Sequence, residues 1–404
     1  MKTFRHALLA LSALALLLAA APPAPAAGPG AKRPYAPDSP WNLPIGPSPE
    51  YDMNSDVYME VFAAKGQMGA DPTQYTLPVY EVSESTPLRA VRVTGSFSRV
   101  DREGRMVRVE KNVEVRVPIP DNAVQAAGLD AQIVLWNPRT GEEWGFWKAG
   151  RTGDRWEAVN GYLYNTAWSG VPPMGFMSRG AGVPYLAGLI RPWEIAAGRI
   201  EHAIAFAFNT PSLLFVYPAT KSDGKGMEDL PEGARIQLDP ALTEADFDAW
   251  GLDPVEKVIA RALQEYGMIV IDKAGHPKIY AEYDGTAGWG GRIHGKTLRK
   301  VPYRAYKVLS LTAPERPDRP RRLEAAARGG KAVLAWEPAA GATRYQVSRR
   351  AADERDPAVI APWVEGTGYA DATARPGVRY EYAVQGVNHN GASRHSQWVR
   401  LTPP

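Results

Sequence analysis

Arg105-Met-Val-Arg-Val-Glu-Lys-Asn-Val-Glu-Val-Arg-Val117 decides the fold class. Valines and charged residues take turns along it, and a period of two places them on opposite faces of a strand with one wet side. The same reading extends outward. Ile133-Val-Leu-Trp136 and Trp144-Gly-Phe-Trp147 flank Asn137-Pro-Arg-Thr-Gly-Glu142, a loop of hairpin type. Ile200-Glu-His-Ala-Ile-Ala-Phe-Ala-Phe208 and Leu213-Leu-Phe-Val-Tyr217 are apolar enough for central strands. Helical patterns are few: Ser55 to Ala64, Thr243 to Trp250 with a Thr-Glu-Ala-Asp cap, and Pro254 to Gly267 with Pro at its start and Gly at its end. No repeat of 20–50 residues marks a propeller or solenoid. The pattern predicts a mainly β chain: a jelly-roll-like two-sheet sandwich with a few peripheral helices, followed by a second sandwich.

Composition bounds the function. The 404 residues contain no cysteine, which excludes disulfides, thiolate catalysis and cysteine-ligated metals. A net charge of +3 gives no argument for nucleic acid. Residues 315–404 hold 14 Lys+Arg against 10 Asp+Glu, leaving 33 against 34 before them, so the surplus belongs to the C-terminal segment. Lys2 and Arg5, the run Ala7–Ala21 and the small residues of Ala24-Pro-Ala26 have the order of a secretory signal cleaved near Ala26. The run is too short to span a membrane, and no later stretch reaches that length. The expected organisation is a signal peptide over 1–26, a flexible Gly/Pro arm over 27–40, and a β-rich domain over 41–312. A proline-rich linker over 313–322 and a second sandwich over 323–404 complete it. The mature protein is expected to be secreted, extracellular or periplasmic, without a transmembrane segment.

The last segment carries a resemblance. Trp336, Tyr345 and Tyr380-x-Tyr382-x-Val384 stand in short alternating strands with turn residues between them. In that spacing the segment resembles a fibronectin type III domain. The resemblance implies an immunoglobulin-like sandwich acting as a spacer or interaction module. Residues 41–285 are similar to a group of uncharacterised secreted bacterial proteins. The shared motifs are Trp41-Asn-Leu-Pro-Ile45, the stretch Gly188 to Ala203, Pro218 to Gly224, Gly233-Ala-Arg235 and Ala262 to Asp272. No activity comes with that likeness.

Candidate chemistry gathers around the apolar His strand. His202 is an imidazole inside an otherwise apolar stretch, where a proton-transfer role competes with that of a satisfied core histidine. Glu194 or Asp272, the carboxylate ending Met268-Ile-Val-Ile-Asp272, is the expected catalytic partner. Arg179, Arg191 and Arg235 are expected to neutralise an acidic sugar, with Trp193, Tyr217 and Asp223 completing a substrate site. No cofactor is expected and the metal content is left open, since carboxylates and carbonyl loops can hold a structural calcium ion without a recognisable spacing. Two readings remain: a secreted lyase or glycosidase acting on an acidic polysaccharide, or a non-catalytic protein that binds carbohydrate or a cell-surface glycan.

Overall fold

The computed structural model describes residues 33–404 except 47, 102–106, 154, 177, 227–228, 313–315, 355–356 and 389. The segment expected as a signal peptide, the start of the expected arm, the start of the expected linker and His389 lie outside the described residues. The chain is mainly β, with curled sheets that face one another.

The first is a mixed sheet in the order Gly69–Ala70, Lys278–Ile279, Ile204–Phe208, Met268–Lys273, Arg235–Leu238, Tyr306–Val308. The alternation inside Ile204–Phe208 sorts its two faces. Ile204, Phe206 and Phe208 join Met59 and Phe62 of the helix Ser55–Lys65, and Ile259 and Leu263 of the helix Pro254–Glu265, in one core. Ala203, Ala205 and Ala207 point the other way, and their small side chains admit Leu186, Leu189, Trp136 and Tyr162 into a second core. The helix Pro254–Glu265 begins where its sequence directs. Asp253 accepts the Glu256 N–H at 2.9 Å, and Glu256 accepts the Asp253 N–H at 3.1 Å.

The second sheet runs Val79–Glu81, Ile133–Trp136, Glu142–Trp147, Asn160–Asn165, Leu88–Val100, Arg155–Ala158, Gly150–Thr152, with Val107–Pro118 also paired to Leu88–Val100. A register shift between Val93 and Ser96 lets the long strand serve several partners. A third core gathers Val93, Phe97, Val115, Val117, Leu135 and Phe146 of this sheet. Parallel pairs occur in both sheets, which the expectation of a jelly-roll-like sandwich did not specify.

The C-terminal segment places Arg321–Arg328, Lys331–Glu337 and Gly368–Asp371 in one sheet. Ala358–Val364, Arg344–Ala351, Tyr380–Asn388, Gly391–Ala392 and Val399–Leu401 form the other. Between them Trp336 and Tyr345 meet edge to face at 5.4 Å, above buried Tyr382 and Val384. Residues 34–40, expected as the end of a flexible arm, are instead packed. The Tyr35 N–H donates to the Thr166 carbonyl at 2.7 Å, and Ser39 and Pro40 are buried. Leu43 forms a small core with Val387 and Ala392, so the N-terminal motif touches both sandwiches.

Candidate functional site: a carboxylate cleft at the end of the mixed sheet

Asp272 is the penultimate residue of the strand Met268–Lys273, which runs parallel to Ile204–Phe208. Their register steps from Val270 opposite Phe206 to Asp272 opposite Ala207, passing over Ile271. A bulge of this kind turns the following side chain out of the regular alternation. Here it leaves Asp272 in the wall of a cleft of about 350 Å³. Opposite, the curled sheet contributes Trp147 and Asn160, and the turn before Ile133–Trp136 contributes Asp130. Trp147 donates to Asp130 at 3.0 Å, and Lys148 lies 4.4 Å over its ring. The loop after Phe176 supplies Arg179 and Tyr185, and the stretch after Tyr217 supplies Lys221 and Asp223.

Close backbone approach makes the site. A Cβ on Gly180 would lie 2.7 Å from both Asp223 Oδ1 and Glu232 Oε1, although the φ of Gly180 is outside the left-handed region. Glycine there provides room rather than a special turn. At Gly233 both reasons apply: φ is +90°, and a Cβ would come within 1.7 Å of the Val216 carbonyl oxygen. These two positions bring Asp223 and the fully buried Glu232 against each other behind the cleft.

The electrostatics come from burial and like charge. Asp272 is half-buried, and burial, reinforced by the Asp223 charge, pushes its carboxyl up to about 7. The Arg179 cation pulls the other way. Glu232 is pushed up to about 10 by burial first, then by Asp223 and Asp272. Lys221, half-buried, is shifted down by burial against the pull of Asp272, Glu232 and Asp223. Arg179 donates to the Tyr185 carbonyl at 2.6 Å and lies 4.5 Å over the Tyr280 ring. Behind it, buried Glu143 accepts from Tyr35 at 2.9 Å, Tyr162 at 2.6 Å and the Leu186 N–H at 3.0 Å. Burial pushes its carboxyl up as well.

Of the expected site residues, the structure brings Asp272, Asp223 and Arg179 together, while the other six lie elsewhere. His202 and Glu194 do meet, Nε2 to Oε1 at 3.0 Å, but as a buried pair with 5% and 1% exposure. The His202 Nδ1 faces the Ala203 carbonyl at 2.9 Å, and Glu194 also caps its own helix by accepting the Arg191 N–H at 2.8 Å. With both ring nitrogens against acceptors, His202 ties the helix Pro192–Ala197 to the sheet and has no surface on which to meet a polymer. This placement suits a structural pair away from the cleft rather than the proton-transfer role expected of it.

Arg191 is held by buried Glu282 at 2.6 Å. Arg235 donates to the Pro40 carbonyl at 2.7 Å and the Leu43 carbonyl at 3.3 Å. With Tyr217 it lines a smaller cavity of about 190 Å³ beside Asn390 of the C-terminal sandwich. Trp193 is half-buried on the helix that Glu194 caps. Arg191 and Arg235 are buried on protein partners, and Trp193 and Tyr217 lie away from the cleft around Asp272. Lys221, Glu232, Asp130 and Tyr185 were missed as site residues. The available signal was Pro218-Ala-Thr-Lys-Ser-Asp-Gly224, whose lysine stands two residues before Asp223. Among the described residues no group of three or more His, Asp or Glu is arranged to hold a metal ion.

His202→Ala tests this assignment. Removing one member of a buried pair costs about 3–5 kcal/mol, because the remaining charge is stranded. A clear drop in Tm is expected, with any activity per folded molecule unchanged. Loss of activity at full stability would restore the catalytic role.

No protein-family model matches the chain, and no curated protein matches it either. Solved structures align with about a fifth of it. An Fn3-like protein from Clostridium thermocellum is 30% identical, covering 21% of this chain and 91% of its own, with a TM-score of 0.20. The fn3 domain of the human collagen alpha-1(XX) chain is 28% identical, covering 22% of this chain and 84% of its own, with a TM-score of 0.19. The FN5 domain of Drosophila Lar is 17% identical over 22% of this chain and 98% of its own, with a TM-score of 0.19.

Proposed function

We propose that the chain is an exported glycan hydrolase that cleaves a polysaccharide in the cleft around Asp272, with Asp272 as general acid and Asp223 as the carboxylate that assists attack. The observation that carries this reading is the pairing of a carboxyl pushed up to about 7 with an exposed second carboxylate in the same cleft. Glycoside hydrolysis needs two carboxyl groups whose environments differ in this sense. Trp147 offers ring surface for a sugar face, and Asn160, Lys221 and Asp130 offer partners for hydroxyls. A lyase would need a base at the carbon next to the uronate carboxyl. The histidine expected for that task is buried with Glu194, which favours hydrolysis over elimination. The C-terminal sandwich then serves as a spacer or attachment module, in line with its resemblance to fibronectin type III domains. The signal-like N-terminus, together with the lack of a long apolar helix among the described residues, suits an extracellular setting.

A panel of neutral and acidic polysaccharides, with reducing-end release and ultraviolet absorbance of unsaturated products as readouts, tests the reading. Reducing ends without unsaturation, lost in Asp272→Asn, are the expected result. Unsaturated products would replace hydrolysis by elimination, and retention of a polysaccharide without turnover would favour a binding protein.

A further inference from the structure

We propose that Glu232 is a positioning residue that holds the Asp223 carboxylate from inside the cleft wall through a carboxylic acid–carboxylate hydrogen bond. The inference rests on the hydrolytic reading above and adds a residue to it. Glu232 has no exposed surface, its carboxyl oxygens have no side-chain donor among the described residues, and both the side chain and the main-chain N–H of Asp223 turn toward them. Two carboxyl groups in contact have no donor between them unless one keeps its proton. Burial selects Glu232 for that part, since Asp223 is exposed and Glu232 is pushed up to about 10. The proton stays on Glu232 throughout, and the Asp223 oxygen nearest it is fixed in direction. Gly180 is the structural counterpart: a Cβ there would lie 2.7 Å from an oxygen of each carboxyl group, so its absence leaves room for both. The charged groups facing Glu232 are Asp223, Asp272 and Lys221. The two aspartates raise it, and the Lys221 ammonium is the nearby positive charge.

The test uses the full chain with Glu232→Gln and Glu232→Ala. The glutamine keeps an N–H donor toward Asp223, whereas alanine removes it. Glu232→Gln is expected to keep kcat within about threefold, and Glu232→Ala to lower it about a hundredfold with KM little changed, as for loss of a well-placed hydrogen bond near the reacting groups. Carbon-13 labelling of glutamate carboxyls, with the Glu232 resonance identified by its loss in Glu232→Gln, supplies a second readout. That resonance is expected to keep the chemical shift of a protonated acid from about pH 5 to about pH 8, where a free glutamate is ionised. Titration of Glu232 below about pH 6 overturns the proposal, as does Glu232→Ala with wild-type kcat, or Glu232→Gln as inactive as Glu232→Ala. The titration needs no substrate. A chain that hydrolyses nothing but retains a neutral Glu232 therefore separates failure of the hydrolytic reading from failure of the pair.

Discussion

Asp272→Asn is expected to lower polysaccharide hydrolysis by about 10²–10⁴-fold while raising the stability of the fold above neutral pH. The first half is a matter of proton transfer. An amide occupies the same volume at the end of Met268–Lys273 and keeps the oxygen that accepts the Lys273 N–H at 3.0 Å, but it has no acidic proton to give a leaving group. In the wild type, the rate should fall as pH rises through about 7, because a general acid works only while protonated.

The second half is a matter of linkage. A carboxyl raised from 3.8 to about 7 on folding stabilises the folded state most below the unfolded value, and that stability is lost as pH rises toward 7. Asparagine has no charge to bury, so above pH 7 the variant escapes a penalty of at most about 4 kcal/mol. A merely structural aspartate, held by an ion pair, would show the opposite stability change. Activity lost together with stability gained marks a group kept at a cost for its chemistry. A variant that is less stable than wild type at pH 8, or that keeps its turnover, overturns the assignment.

Local period and chemistry decided some of these residues and not others. The run Ala203-Ile-Ala-Phe-Ala-Phe208 announces a central strand, and it also announces a small-residue face on which another layer can lie close. Asp272 was legible because a carboxylate closing an apolar strand stands at an element end, where side chains reach a cleft. His202 was legible as a buried histidine with an acidic partner nearby. What the chain order could not tell was that Glu194 faces the interior, because that depends on how the six-residue helix Pro192–Ala197 is rotated against the sheet. The arginines make the same point. Arg179 and Arg235 sit in similar Gly/Ala surroundings, yet one lies beside Asp272 and the other turns to main-chain carbonyls near Trp41. Nothing in Leu230-Pro-Glu-Gly233 marks Glu232 as a buried group. Gly180 and Asp223 approach it from other loops, which chain order does not reveal. The C-terminal sandwich was more legible, since Trp336, Tyr345 and Tyr382 pack within one short stretch whose spacing already carries its core.

Trp41→Ala is expected to cost about 3–5 kcal/mol and to loosen the attachment of the C-terminal sandwich. Trp41 is almost fully buried, its indole N–H donates to the Gly170 carbonyl at 3.1 Å, and its carbonyl accepts the Ala203 N–H at 2.7 Å. A Cβ on Gly170 or on Gly188 would come within 2.9 Å of the indole, so the ring fills space that two glycines leave for it. The neighbouring residues Asn42, Leu43 and Pro44 depend on that anchor. Asn42 reaches back to the carbonyls of Pro34, Tyr35 and Ala36. Leu43 packs on Val387 and Ala392, and the Pro44 carbonyl accepts Arg344 of the C-terminal sandwich at 2.8 Å. From the other side Arg235 donates to Pro40 and Leu43. Burial pushes Arg235 down to about 9 and Arg344 down to about 10, and the two cations repel. Main-chain carbonyls of the motif are thus acceptors that both buried guanidinium groups use. Removing the indole leaves a large cavity under them, and the strand of carbonyls loses its fixed position. Heating or urea should show the loss in stability, and limited proteolysis should cut the 313–322 connection faster in the variant than in wild type. Arg344→Met retains the apolar stem and removes the guanidinium that donates to Pro44. It should speed the same cleavage with a smaller loss of stability, about 1–3 kcal/mol. If Trp41→Ala leaves both melting and cleavage unchanged, the motif does not join the two sandwiches.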